Sequence, residues 1–164
     1  MKRKLLLSLG LAIMLVLSLG VPILAATSDE VTVTATPSYV SISNLPVSFD
    51  FATVAESGTP NTTTGWFTVT NDSTVNITVS IGCDGWSGTT AWTYGVAGAD
   101  TGQLKASDND GVYDVTVPNG STAELHTTVT SGTNVQWELQ LNCPTSFSHG
   151  AEQTTTVTVS AAAS

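Results

Sequence analysis

The chain has 164 residues, with thirteen Asp and Glu against four Lys and Arg, a formal net charge of −9 at neutral pH. Three of the four bases are Lys2, Arg3 and Lys4, so residues 27–164 carry thirteen carboxylates against Lys105 alone, thirteen less one, or −12. So few cations cannot neutralise a phosphate backbone or an anionic lipid surface, which excludes nucleic acid and such membranes as partners, while four Trp, four Phe and three Tyr supply apolar surface enough for one folded core.

In chain order, Met1-Lys2-Arg3-Lys4 is a basic start followed by an apolar run from Leu5 to Val21, then Pro22 and small residues. That is the pattern of a secretion signal peptide, helical in its apolar stretch. Cleavage after Ala26, or alternatively Ala25, assigns residues 1–26 to the signal and 27–164 to the mature protein. An uncleaved anchor is the competing reading, since the run approaches the roughly 20 residues that span a bilayer. Beyond it, strict alternation of apolar and polar residues predicts strands with one buried face. Val31, Val33 and Ala35 alternate with Thr; Val47, Phe49 and Phe51 follow, then Phe67 and Val69. Val75, Ile77, Val79, Ile81 and Cys83 form one continuous inward series. Further strands are expected within Trp92–Val96, Tyr113–Val117 and Leu125–Val129, then along Val135, Trp137, Leu139, Leu141 and Cys143, and at Val157 and Val159. Turn chemistry separates them at residues 57–60, Asn71-Asp72, Gly85, residues 108–111, Pro118-Asn119-Gly120 and Ser131-Gly132. The expectation is a single all-β domain, an antiparallel sandwich of about 8–10 strands over residues 27–164.

Cys83 and Cys143 each close a strand whose other same-face residues are large and apolar. Both sulfurs should therefore point inward. In an oxidising compartment an even pair is most simply a disulfide, here one bridging facing sheets and worth roughly 4 kcal/mol by chain entropy; two buried free thiols are the alternative.

The run FATVAESGTPNTTTGWFTVTNDSTVNITVS, Phe51 to Ser80, resembles bacterial Hydin-type immunoglobulin-like modules, with their Phe-x-x-Val stretch, glycine and Phe-x-Val-x-Asn before an alternating strand. The resemblance implies an immunoglobulin-like sandwich of the kind found in structural or binding proteins. WELQLNCP, Trp137 to Pro144, is similar to the closing Trp-x-Leu element of WxL cell-wall-attached surface proteins. In phase with core positions, Trp137 also reads simply as a core tryptophan.

Asp108-Asn109-Asp110-Gly111 with Asp114 is the candidate metal site, because calcium asks for hard oxygens on a turn that glycine can tighten. It does not fit an EF-hand, since Ala106 and Val117 would fall at ligand positions, and an acidic solvated turn explains it as well. Trp86, Trp92 and Tyr94, with Trp66, are candidates for stacking on sugar rings; core or rim tryptophans are the plainer reading. Gly85-Trp86-Ser87-Gly88 is not a nucleophile elbow, and His126 and His149 read as surface histidines. Asn61, Asn71 and Asn119 open Asn-x-Ser/Thr triplets that could carry glycans, while Asn76 falls inside a strand. Glu30 to Ala35 and Thr154 to Ala161 are Thr/Val-rich and strand-like, suited to pairing with another chain or to completing their own sandwich. These features together predict a secreted, acidic, non-enzymatic cell-surface or matrix protein, its partners other copies of itself or envelope components. A carbohydrate-binding module that takes up polysaccharide is the alternative, and a secreted hydrolase comes third.

Overall fold

The computed structural model describes residues 32–108 and 110–164; the segment expected to be a signal, 1–26, and Asn109 lie outside them. The chain divides into two units, Met1–Thr36 and Pro37–Ser164. In the first unit, Thr32–Thr36 are exposed and belong to no strand. The second is all-β. Among the described residues it contains nine strands and no helix: β1 Ile42–Leu45, β2 Phe67–Asn71, β3 Ile77–Cys83, β4 Thr93–Tyr94, β5 Thr101–Ser107, β6 Val115–Thr116, β7 Ala123–Val129, β8 Asn134–Asn142 and β9 Val157–Ala163.

Six strands form one sheet in the order β1-β2-β8-β5-β4, with β6 also on β5, and three form a second in the order β7-β3-β9. Every pairing is antiparallel except the short β4–β5 contact. The sheets share one apolar cluster, which gives a sandwich-like fold. Alternation dictates what enters it: Ile77, Val79 and Ile81 from β3, Phe67 and Val69 from β2, and Trp137, Leu139 and Leu141 from β8 are all buried. Each such side chain contributes about 1.5–3 kcal/mol by leaving water. Trp137 and Phe67 face each other in register and stack at 4.2 Å. The indole Nε1 donates to Asn44 Oδ1 at 3.0 Å, so the buried polar end of the ring is satisfied.

Three elements depart from expectation. The strand expected at Val47–Phe51 is displaced to β1, just upstream; Pro46 offers no N–H to a ladder and ends it. The sequence pattern did not mark β5, because Gly102, Leu104 and Ala106, its inward residues, make a weak apolar signal, yet it is the neighbour of β8 throughout Gln103–Ser107. Finally, Cys83 at the end of β3 and Cys143 just after β8 are both buried in the shared core, but they are unbonded. Alternation settles the face a side chain points to, whereas a disulfide also needs Cβ atoms about 3.5–4.5 Å apart. The Cys143 N–H is held by the Gly58 carbonyl and the Cys83 N–H by the Pro118 carbonyl, each at 2.9 Å.

Candidate functional site

The expected sugar platform gathers, but it gathers inward. Trp86 and Trp92 meet edge to face at 5.4 Å, Tyr94 lies 6.1 Å from Trp86, and Phe147 stacks on Trp92 at 5.4 Å with the rings almost parallel. Trp92 is only 8 % exposed. Trp86 Nε1 donates to the Gly102 carbonyl at 2.9 Å; the Tyr94 hydroxyl donates to the Val117 carbonyl and accepts from the Leu104 N–H at 3.0 Å. The polar ends of Trp86 and Tyr94 are thus committed to backbone, whereas the buried Trp92 Nε1 meets no acceptor among the described residues, and the cluster closes one end of the sandwich. Burial pushes the Tyr94 hydroxyl well above its usual range, and the Cys83 thiol beside it adds to that. Burial likewise raises the Cys143 thiol.

Trp66, by contrast, is 42 % exposed and packs against Phe49 at 5.2 Å. Tyr39, Leu45 and Val47 are exposed in the same stretch of chain, Leu45 to 63 % and Val47 to 86 %. From Val31 to Phe49 there is no charged residue at all.

Of the acidic turn, Asp108, Asp110 and Asp114 are exposed. Asp110 Oδ1 accepts from Ser107 Oγ at 3.0 Å and from the Val112 N–H at 2.7 Å, so this carboxylate braces its own turn. Among the described residues no group of three or more His, Cys, Asp or Glu side chains is placed to hold a metal ion. A shallow hollow of about 250 Å³ lies elsewhere, lined by Cys83, Asp84, Ser121 and Thr158 among others. Gly82 forms part of its floor, where a Cβ would collide with the Ser121 carbonyl.

The glycan triplets separate by burial. Asn61 and Asn119 are exposed, whereas Asn71 is fully buried. Its amide donates to the Val75 and Val129 carbonyls at 3.0 and 2.9 Å, and its oxygen accepts from the Ser73 N–H at 2.9 Å. Asn71 therefore organises the β2–β3 turn and offers no nitrogen to a glycan, which corrects the sequence expectation. Asn76, expected within a strand, is exposed just before β3.

Sequence reasoning missed Glu138. On β8 it alternates outward between Trp137 and Leu139, the phase of a solvated residue, yet it is 1 % exposed. Oε1 accepts from the Gly65 N–H and Oε2 from the Tyr113 hydroxyl, each at 3.0 Å; Asn61 donates to the same hydroxyl at 3.0 Å. Gly65 has φ +66°, a conformation that suits glycine, and its N–H reaches the carboxylate from there. Next to it Thr62 is buried, its N–H on the Leu139 carbonyl at 2.8 Å and its Oγ1 accepting from the Leu139 N–H at 3.0 Å. Burial, followed by the adjoining Glu138 carboxylate, raises the Tyr113 hydroxyl, with Asn61 opposing. The arrangement clamps the loop before β2 and the β5–β6 connection onto the outer face of the larger sheet. A Glu between two core residues carries no mark of this; the one sequence signal was the Gly-x-Phe entry to β2 opposite it.

Compared with protein-family models, with characterised proteins and with solved structures, the chain finds no match in any of the three.

Proposed function

We propose that this protein is a secreted, non-enzymatic structural module of immunoglobulin-like type, acting outside the cell through self-assembly or attachment to the envelope. The single observation that carries this is the uncharged stretch from Val31 to Phe49 with Tyr39, Leu45, Val47 and Trp66 exposed, in a chain of strongly negative net charge. Strong like charge keeps copies apart in solution, so a neutral apolar surface is where contact costs least, and apolar patches on soluble domains mark interaction sites. The extracellular setting is inferred from the basic start and apolar run of residues 1–26, and the immunoglobulin-like type from the resemblance over residues 51–80. The test is to express the full chain in a secreting host, recover the processed protein and measure sedimentation and electron-microscopic appearance across concentration, with and without isolated envelope. Assemblies or envelope-bound protein support the reading; a monomer that stays in the supernatant under both conditions overturns it.

Carbohydrate binding is the second reading, and the exposed ring of Trp66 favours it. A polysaccharide panel read by tryptophan fluorescence, repeated with Trp66→Ala, separates it from assembly.

A further inference from the structure

The two sides of the sandwich treat their strand edges differently. On one side lie β6 and β7, on the other β1 and β9. A free edge is a row of unpaired N–H and C=O groups that proteins guard with short strands, bulges and charge. The first side has all three guards: β4 and β6 are two residues each, β7 carries Glu124 and His126, and its register on β3 shifts twice. The second side has fewer. β9 runs seven residues in unbroken register from Val157 opposite Cys83 to Ala163 opposite Ile77. Neither β1 nor β9 holds a charged residue, and the chain is uncharged from Gln153 to Ser164. Val157, Val159 and Ala161, which pack on the core from β9, are only partly buried, whereas Ile77, Val79 and Ile81 on β3 are wholly so. The core is less completely covered at β9.

A segment with the matching pattern is present in the same chain. Val31-Thr32-Val33-Thr34-Ala35 repeats Val157-Thr158-Val159-Ser160-Ala161 with one Thr-for-Ser difference. Its described part, Thr32–Thr36, is exposed and in no strand. Resting on the assembly reading above, we propose that residues 32–36 of one copy add as an extra strand to the edge of β9 that faces away from β3 in a second copy. Val33 and Ala35 then cover the side that Val157, Val159 and Ala161 leave open, while the threonines face water. Backbone hydrogen bonds supply the affinity and the alternation sets the phase. The partner is a copy of this chain because segment and acceptor edge are both neutral, so the contact joins uncharged backbone of two molecules that otherwise repel. A head-to-tail contact of this kind does not close on itself in general and gives filaments.

The test uses the processed full chain and its Val33→Pro variant, which removes an N–H and fixes φ in the added strand while leaving β1 to β9 untouched. Sedimentation and electron microscopy are read across concentration. Wild-type filaments, with onset of assembly moved at least tenfold in concentration by Val33→Pro at unchanged melting temperature, are expected. A synthetic peptide of residues 29–36 added to isotopically labelled Val33→Pro protein should shift amide signals of Val157–Ala163 and not those of β7. Assembly that Val33→Pro leaves unchanged overturns the strand-addition proposal while the assembly reading stands; a wild-type chain that never assembles removes both. Peptide-induced shifts on β7, or hydrogen-exchange protection of residues 32–35 that is independent of concentration and so arises within one molecule, also overturn it.

Discussion

The two faces of β8 are buried by different physics. Inward, Trp137, Leu139 and Leu141 enter a continuous apolar core, and removal from water suffices to hold them. Outward, Glu138 is as completely buried as Trp137, each 1 % exposed, but a carboxylate gains nothing from leaving water and is kept there by the Gly65 N–H and the Tyr113 hydroxyl. The inner face tolerates any chemistry of the right shape and apolarity. The outer face is held by directed bonds, and each donor is itself supplied by a segment that must be in place. Outer-face burial is thus conditional on the two connecting loops, and inner-face burial is what the sheets themselves create.

The largest effect is expected on the inner face. Trp137→Ala removes the partner of Phe67 and leaves Asn44 without its donor, and large aromatic truncations in cores cost about 3–5 kcal/mol. Against a total of about 5–15 kcal/mol for a typical domain, urea unfolding of this variant should begin in very dilute denaturant. Glu138→Ala should follow, at about 1–3 kcal/mol for donors left buried and unpaired, and it should free the 57–66 loop to exchange amide hydrogens while β8 remains protected. Glu138→Gln keeps one carbonyl oxygen and should lose less than Ala. If Ala and Gln cost the same, or if neither changes exchange in that loop, the clamp is not what buries this carboxylate and the comparison fails.

That contrast also explains what could be read in advance. The inner faces of β3 and β8 follow directly from period-two alternation, and with them the all-β class and the inward aim of Cys83 and Cys143. Alternation is blind to what covers the far side of a strand, so Glu138 went unmarked and Asn71 read as a surface glycan acceptor, although both are buried by loops that no periodicity encodes. Weak apolar signal hid β5, whose inward Gly102 and Ala106 are small; at Gly102 the Trp92 ring fills the space, since a Cβ there would sit 3.3 Å from it. The same crowding turned Trp86, Trp92 and Tyr94 from a supposed exposed platform into packing.

The smallest effect is one of pH, and it sets the two faces against each other through their tyrosines. Tyr94 caps the inner face and Tyr113 the outer; both hydroxyls are raised, Tyr94 further, and the Cys143 thiol is raised as well. All three are acids whose protonated form the fold favours. Their contribution is therefore fully present below the ordinary values of 9.0 for Cys and 10.0 for Tyr, and is lost as pH rises through the higher folded values. Asp100 runs the other way: hydrogen bonds from Ser148 lower its carboxyl below 3.8, so its stabilisation is lost only as pH falls through that folded value. Melting temperature should accordingly hold level across neutral pH and drop on the alkaline side, with tyrosinate absorbance appearing for Tyr113 before Tyr94. Glu138→Gln should bring the Tyr113 titration down, since it removes a neighbouring negative charge, and leave Tyr94 where it is; Tyr94→Phe should flatten the alkaline limb at some cost in melting temperature. A single tyrosine titration that moves as one in both variants would mean the two faces of the sandwich come apart together, and that the outer clamp has no separate existence.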